Sequence, residues 1–128
     1  MLDHLGITAS DFGRSSAFYR KALEPLAIVV IMELSAAETG SHAHIGFGRN
    51  GKPFFWIGDG SKPCGSVHIA FTSPDRRGVD AFYRAALAAG GRDNGPPGIR
   101  AYYHPNYYGA FVLDPDGHNI EAVCHEAA

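Results

Sequence analysis

The chain repeats itself at a fixed spacing. An offset of 64 residues carries His4 onto His68, Asp11 onto Asp75 and Phe18 onto Phe82 without a gap. Around these anchors Asp3-His4-Leu5-Gly6-Ile7-Thr8 matches Val67-His68-Ile69-Ala70-Phe71-Thr72, and Ala17-Phe18-Tyr19-Arg20 matches Ala81-Phe82-Tyr83-Arg84. Small residues coincide by chance; a histidine and an A-F-Y-R run at one shared offset do not. One strand–linker–helix unit is therefore present twice, and a repeat constrains a fold more tightly than any local propensity. A chain of 128 residues with 45% hydrophobic content has room for one domain and one core.

Each half reads as β-α-β-β-β. In the first, a strand over residues 2–9 meets Ser10 and Asp11, both good helix caps. A helix follows to about Leu23 and stops at Glu24-Pro25, because the residue before proline avoids α geometry. The β-branched run from Leu26 to Met32 predicts a strand. Residues 35–41 read as a loop, and His44–Gly48 and Pro53–Ile57 as strands paired about the Asn50-Gly51 turn. Residues 58–65, rich in glycine and carrying Pro63, form the seam, with module one at about 1–58 and module two at about 66–125. In the second half the strand spans 66–72, Ser73-Pro74 opens the helix, and Gly90-Gly91 ends it. Residues 92–105 form a long Gly/Pro/Tyr segment with room for one short strand. Two strands, 110–113 and 119–124, close the chain.

Those last strands flank Asp114-Pro115-Asp116-Gly117, a turn by composition. Beyond it Asn119, Glu121 and Val123 share one strand face, and Ile120, Ala122 and Cys124 the other. An acid inside a short apolar strand is costly to bury unless a cation sits beside it. Glu121 either faces solvent or has such a partner. The same alternation puts His4, Gly6 and Thr8 on one face of the first strand, and His68, Ala70 and Thr72 on one face of its repeat. In both strands the histidine face is the less apolar one and suits a cavity.

Composition excludes several classes. A formal charge of −2 with no basic run argues against nucleic acid as a partner. No apolar run has membrane-spanning length and no signal-peptide pattern opens the chain. Cys64 and Cys124 have no metal or disulfide spacing, so a cytoplasmic location is expected. Phosphate-binding glycine loops, dinucleotide fingerprints and Ser-His-Asp sets are missing.

The quoted motifs, with Asp114-Pro115-Asp116-Gly117-His118-Asn119-Ile120-Glu121, resemble the vicinal oxygen chelate superfamily, also called the glyoxalase/bleomycin-resistance/extradiol dioxygenase superfamily. The resemblance covers nearly the whole chain and does not select one activity. It implies an α+β fold of two tandem βαβββ modules, whose curved mixed sheets enclose a metal and ligand cavity. It also implies that His4, His68 and Glu121 bind one divalent metal, and that the chain is a homodimer. Two imidazoles and a carboxylate suit Fe, Mn, Zn or Ni better than Ca or Mg. The function implied is a metal-dependent lyase, dioxygenase or transferase acting on a small substrate chelated through adjacent oxygens. The alternative is a metal-free, bleomycin-resistance-like protein that sequesters a ligand. Glyoxalase I members carry a further carboxylate on the fourth strand of the first half. Aligning Gly51-Lys52-Pro53-Phe54-Phe55 with Gly117-His118-Asn119-Ile120-Glu121 puts Phe55 there, so efficient glyoxalase I activity is not expected.

Further candidates come from the residues themselves. Tyr102, Tyr103, His104, Tyr107 and Tyr108 cluster in the long segment, where they can cover a cavity or pack a loop. A histidine side chain can serve as acid or base near neutral pH, which makes His104 a candidate catalytic group with Tyr103 and Glu121. Tyr108 pairs with His44 at the offset of 64, which makes both candidate wall residues together with Phe55 and Tyr102. Arg100 is a candidate for an anionic substrate. Phe54 and Trp56 are expected in the core, and His118 and His125 at the surface.

Overall fold

In the computed structural model, residues 1–60 and 65–128 are described. The seam, with Pro63 and Cys64, lies partly outside them. The first half gives β1 (Leu5–Ala9), α1 (Phe12–Ala22), β2 (Val29–Leu34), a short α2 (Ala36–Thr39), β3 (His44–Arg49) and β4 (Lys52–Asp59). The second gives β5 (His68–Thr72), α3 (Arg76–Ala88), β6 (Arg92–Ile99), β7 (Tyr108–Leu113) and β8 (Asn119–Cys124). Two four-stranded mixed sheets result, ordered β1-β4-β3-β2 and β5-β8-β7-β6. The first and fourth strands of each module run parallel, and the remaining pairs antiparallel.

Local chemistry explains most boundaries. Asp11 and Asp75, one repeat apart, cap α1 and α3 by accepting from the amides of Arg14 and Gly78. Ser73-Pro74 therefore precedes the cap instead of opening the helix. α1 ends at Ala22, and Glu24-Pro25-Leu26 continues as one 3₁₀ turn. Ser35 and Glu38 form a reciprocal capping box, which makes a helical turn of a stretch expected as loop. Asn50 and Gly51 both take positive φ, 52° and 75°, as a tight hairpin requires. The Gly/Pro segment is mostly strand: β6 runs eight residues along the sheet edge, with irregular register at Asp93/Gly95 and Gly95/Gly98. An edge position is what allows Pro96 and Pro97 there.

The core lies between the helices and the inner sheet faces. Phe18 and Tyr19 of α1, Phe47 and Phe55 of the first sheet, and Phe82, Val112 and Ile120 of the second half are sealed from solvent. Phe55 meets Phe71 edge-on at 5.2 Å, so the two halves share one aromatic core. Burial of each such side chain contributes about 1.5–3 kcal/mol. Across the halves, Tyr19 Oη donates to Asp114 Oδ2 at 2.5 Å, and Ser10 binds Asp116. Asp114 Oδ1 also accepts from the amides of Asp116 and His118, so this one carboxylate organises the turn that launches β8.

β1 and β5 are edge strands of separate sheets, and both line the cavities at the junction of the two halves. One cavity is walled by His4 and Leu5 together with Ile69–Thr72, and a second by Gly6, Ile7 and Thr8 together with Gly65, Ser66 and Val67. His4 and His68 thus occupy different parts of this junction.

Candidate functional site

Strand pairing builds the site on the outer face of the second sheet. Glu121 lies opposite Ala70 of β5 and Phe111 of β7, and paired residues project to the same side. Its carboxylate is 1% exposed, yet it is on the face away from the helices. His68, at the start of β5, places Nε2 2.8 Å from Glu121 Oε1. Tyr107, just before β7, donates its hydroxyl to Glu121 Oε2. Burial, then that hydrogen bond, hold the Tyr107 hydroxyl well above its ordinary value, so it remains a donor. Gly109 leaves room for the carboxylate: a Cβ there would stand 3.3 Å from Oε2. Glu121 therefore has the hydrogen-bonding partners its burial calls for, with both carboxylate oxygens oriented.

Aromatic and basic groups surround this pair. The Phe111 ring is tilted against His68 at 6.0 Å, and the Arg100 guanidinium covers Phe111 at 5.4 Å. Arg100 is held by the carbonyls of Pro96 and Gly98, at 2.7 and 2.8 Å. Tyr102, Tyr103 and Tyr107 pack in sequence, each neighbouring pair at 4.7 Å. His104 and His125 flank Tyr107. The His104 tautomer follows from its contacts. Nδ1 accepts from the Asn106 amide, so Nε2 carries the proton and donates to His125 Nδ1 at 2.7 Å.

His4 is elsewhere. It is exposed, its Nδ1 lies 2.7 Å from Asp3, and Asp3 pairs with Lys52 at 2.8 Å. Hydrogen bonds from Lys52 and then His4 lower the Asp3 carboxyl. Among the described residues no three His, Cys, Asp or Glu side chains converge. One chain thus brings together two of the three expected ligands. Those two fit a metal by chemistry: Glu121 is a buried carboxylate with only an imidazole to balance it, and the two donor atoms are as close as neighbouring ligands of one ion.

Five placements differ from expectation, those of Phe55, Trp56, Tyr108, His44 and His118. Register pairs Gly6 with Trp56 and Ala70 with Glu121, so the residue matching Glu121 is Trp56, not Phe55. Phe55 faces the helices, 1% exposed among Tyr19, Phe47 and Phe71. Trp56 instead lies on the outer face over Gly46, where a Cβ would meet the indole at 2.9 Å. Tyr108 pairs with Cys124 and so points toward α3, donating to Asp80 at 2.6 Å beneath Arg76. His44 is on the outer face of the first sheet beside Gly58, apart from Tyr108, because the repeat spacing has become 65 at these strands. His118 is also buried, accepting from the Val67 amide, while His125 is exposed. Tyr107, which no spacing singled out from its tyrosine neighbours, is the one that reaches Glu121.

The family model for the Glyoxalase/Bleomycin resistance protein/Dioxygenase superfamily matches residues 1–122. No curated protein matches the chain. Among solved structures, a glyoxalase/bleomycin resistance protein from Albidiferax ferrireducens T118 superposes with a TM-score of 0.72 at 26% identity, over 94% of this chain and 95% of that one. A fosfomycin resistance protein, FosX, from Listeria monocytogenes, in an E126Q form complexed with Mn(II) and 1S,2S-dihydroxypropylphosphonic acid, gives 0.69 at 19% over 96% and 90%. A glyoxalase I mutant from Zea mays gives 0.70 at 19%, covering 99% of this chain and 45% of that one. At these last two identities the likeness is one of fold.

Proposed function

This chain belongs to the Glyoxalase/Bleomycin resistance protein/Dioxygenase superfamily, and we propose that within it the chain is a divalent-metal-dependent enzyme acting on a small substrate that presents two adjacent oxygens. The observation that carries the reading is the buried Glu121 carboxylate, held by Tyr107 and faced by His68 Nε2. His68 and Glu121 would hold the metal from one chain, and His4 from a second copy. Two-fold pairing of two chains is isologous, so the first module of each would face the second module of its partner, making two equivalent sites. Exposed Leu5, Val67, Ile99, Tyr102 and Tyr103 supply apolar surface for that association.

The bound metal would supply Lewis-acid polarisation of the substrate oxygens. The chain does the remaining work. Tyr107 fixes the rotamer of Glu121 and keeps its second oxygen from becoming a competing base. Phe111 and Tyr103 give the substrate apolar walls, and Arg100 places a fixed positive charge beside them. His104 donates its Nε2 proton to His125 Nδ1 and so fixes the orientation of both rings beside Tyr107.

Metal analysis of chelator-stripped, reloaded protein tests the assignment. Alanine at His4, His68 or Glu121 should each weaken retention by at least about tenfold, since loss of even an outer partner costs about 10–100-fold. Stoichiometric metal in Glu121→Ala would overturn it.

A further inference from the structure

The cavity at the His4 end of the seam is separate from His68 and Glu121 and measures about 310 Å³. Its apolar walls include Leu5, Ile28, Phe54, Ile69 and Phe71, and Arg49 and His4 also line it. Arg49 is half-buried at the end of β3. Its Nε and Nη2 donate to the Leu26 carbonyl at 3.1 and 2.7 Å, and Nη2 also donates to the Thr72 carbonyl at 3.2 Å. Among the described residues Nη1 makes no hydrogen bond and no carboxylate pairs with the guanidinium. Asp3 also borders the cavity, but Lys52 and His4 already engage it.

The opposite end of the seam shows what a closed version looks like. There the turn after β7 presents Asp114, Asp116 and His118, and Tyr19, Ser10 and the Val67 amide bond to all three. The turn after β3, its counterpart, presents Arg49 with donors to spare and an apolar hollow beneath. A guanidinium with one open edge, in an apolar pocket, is complementary to a single carboxylate on an apolar body.

We propose that this cavity binds a small apolar monocarboxylate through Arg49. The volume admits a ligand of about ten heavy atoms, by the ~30 Å³ that one water occupies in the liquid. One open cation beside a carboxylate favours a singly charged ligand over a phosphate. His4 borders the cavity and is also assigned to the proposed metal, so binding is tested on the chelator-stripped full chain, where failure of one reading leaves the other standing. Benzoate and 4-methylpentanoate should bind one per chain by calorimetry and raise the melting temperature, with the matching amides at least about tenfold weaker because the charge-assisted bond is lost. Arg49→Gln should abolish binding. Should that variant fail to fold, Leu5→Trp, which fills the cavity and keeps Arg49, should abolish it while retaining the native circular dichroism. Failure of both acids to bind, equal binding of the amides, equal affinity for inorganic phosphate, or unchanged binding in Leu5→Trp would each overturn the proposal.

Discussion

Tyr107 and Tyr19 make the same contact, a phenol donating to a carboxylate, with different consequences. At Tyr107 the acceptor is the buried Glu121, whose other oxygen faces His68. Removing the hydroxyl leaves one oxygen of a buried carboxylate without its donor, a loss of about 1–3 kcal/mol. Tyr107→Phe should therefore lower the urea midpoint, and lower it less when Glu121→Gln is already present; equal losses in both backgrounds would show that the two groups do not couple. At Tyr19 the partner is Asp114, and burial, followed by the charge of Asp114, raises the phenol well above its ordinary value. The folded chain then holds a proton that the unfolded chain releases near pH 10. This contribution to stability is complete below about pH 10 and is lost as the pH climbs toward the raised value. Of the six tyrosines, Tyr19 should yield its tyrosinate absorbance only as far-UV circular dichroism collapses. Ionisation of all six in a still-folded chain would contradict the buried contact.

Elements explain what the sequence could show and where counting failed. The repeat, both long helices, the Asp11 cap and the Asn50-Gly51 hairpin were legible, because each depends on neighbours close in sequence, whereas the second cap is Asp75 and not the expected Ser73. β6 was not, since Gly95, Pro96, Pro97 and Gly98 have turn composition and only an edge position makes them strand. The Phe55 alignment failed by one residue. The spacing of 64 holds for β1, α1 and their repeats but becomes 65 at β3 and β4, with a register shift between Phe47 and Gly48. A slip of one residue exchanges the two faces of a strand, so Trp56 and not Phe55 occupies the position that matches Glu121. The chemical expectation survives the exchange, since an indole supplies neither a metal ligand nor a base. With methylglyoxal and glutathione, protein loaded with Ni, Zn, Mn or Fe should stay well below the usual enzyme range of about 10–10³ s⁻¹. A missing general base alone costs about 10²–10⁴-fold. Turnover within that range with any of the four metals would show that position 56 does not matter.

At the scale of the molecule, the junction between the sheets decides whether the three expected ligands can meet. Residue spacing made His4 and His68 equivalent, and equivalence within a repeat says nothing of proximity. Within one chain His4 and His68 occupy different parts of the junction between the sheets, so the proposed set would take its third ligand from a second chain. This makes a prediction that separates a shared site from one inside a single chain. In an isologous dimer each site takes His4 from one protomer and His68 with Glu121 from the other. His4→Ala and His68→Ala homodimers then lack a ligand at both sites. In the mixed dimer one site carries both lesions and the other carries none. Random reassortment of equal amounts makes half the dimers mixed, so about a quarter of all sites should regain tight metal binding. The two variants, unfolded together in urea and refolded, should show that recovery, while each refolded alone shows none. Mixing a variant with itself at doubled concentration controls for mass action. If each site lay within one chain, no reassortment could bring an intact His4 to an intact His68, and the mixture would bind no better than its components.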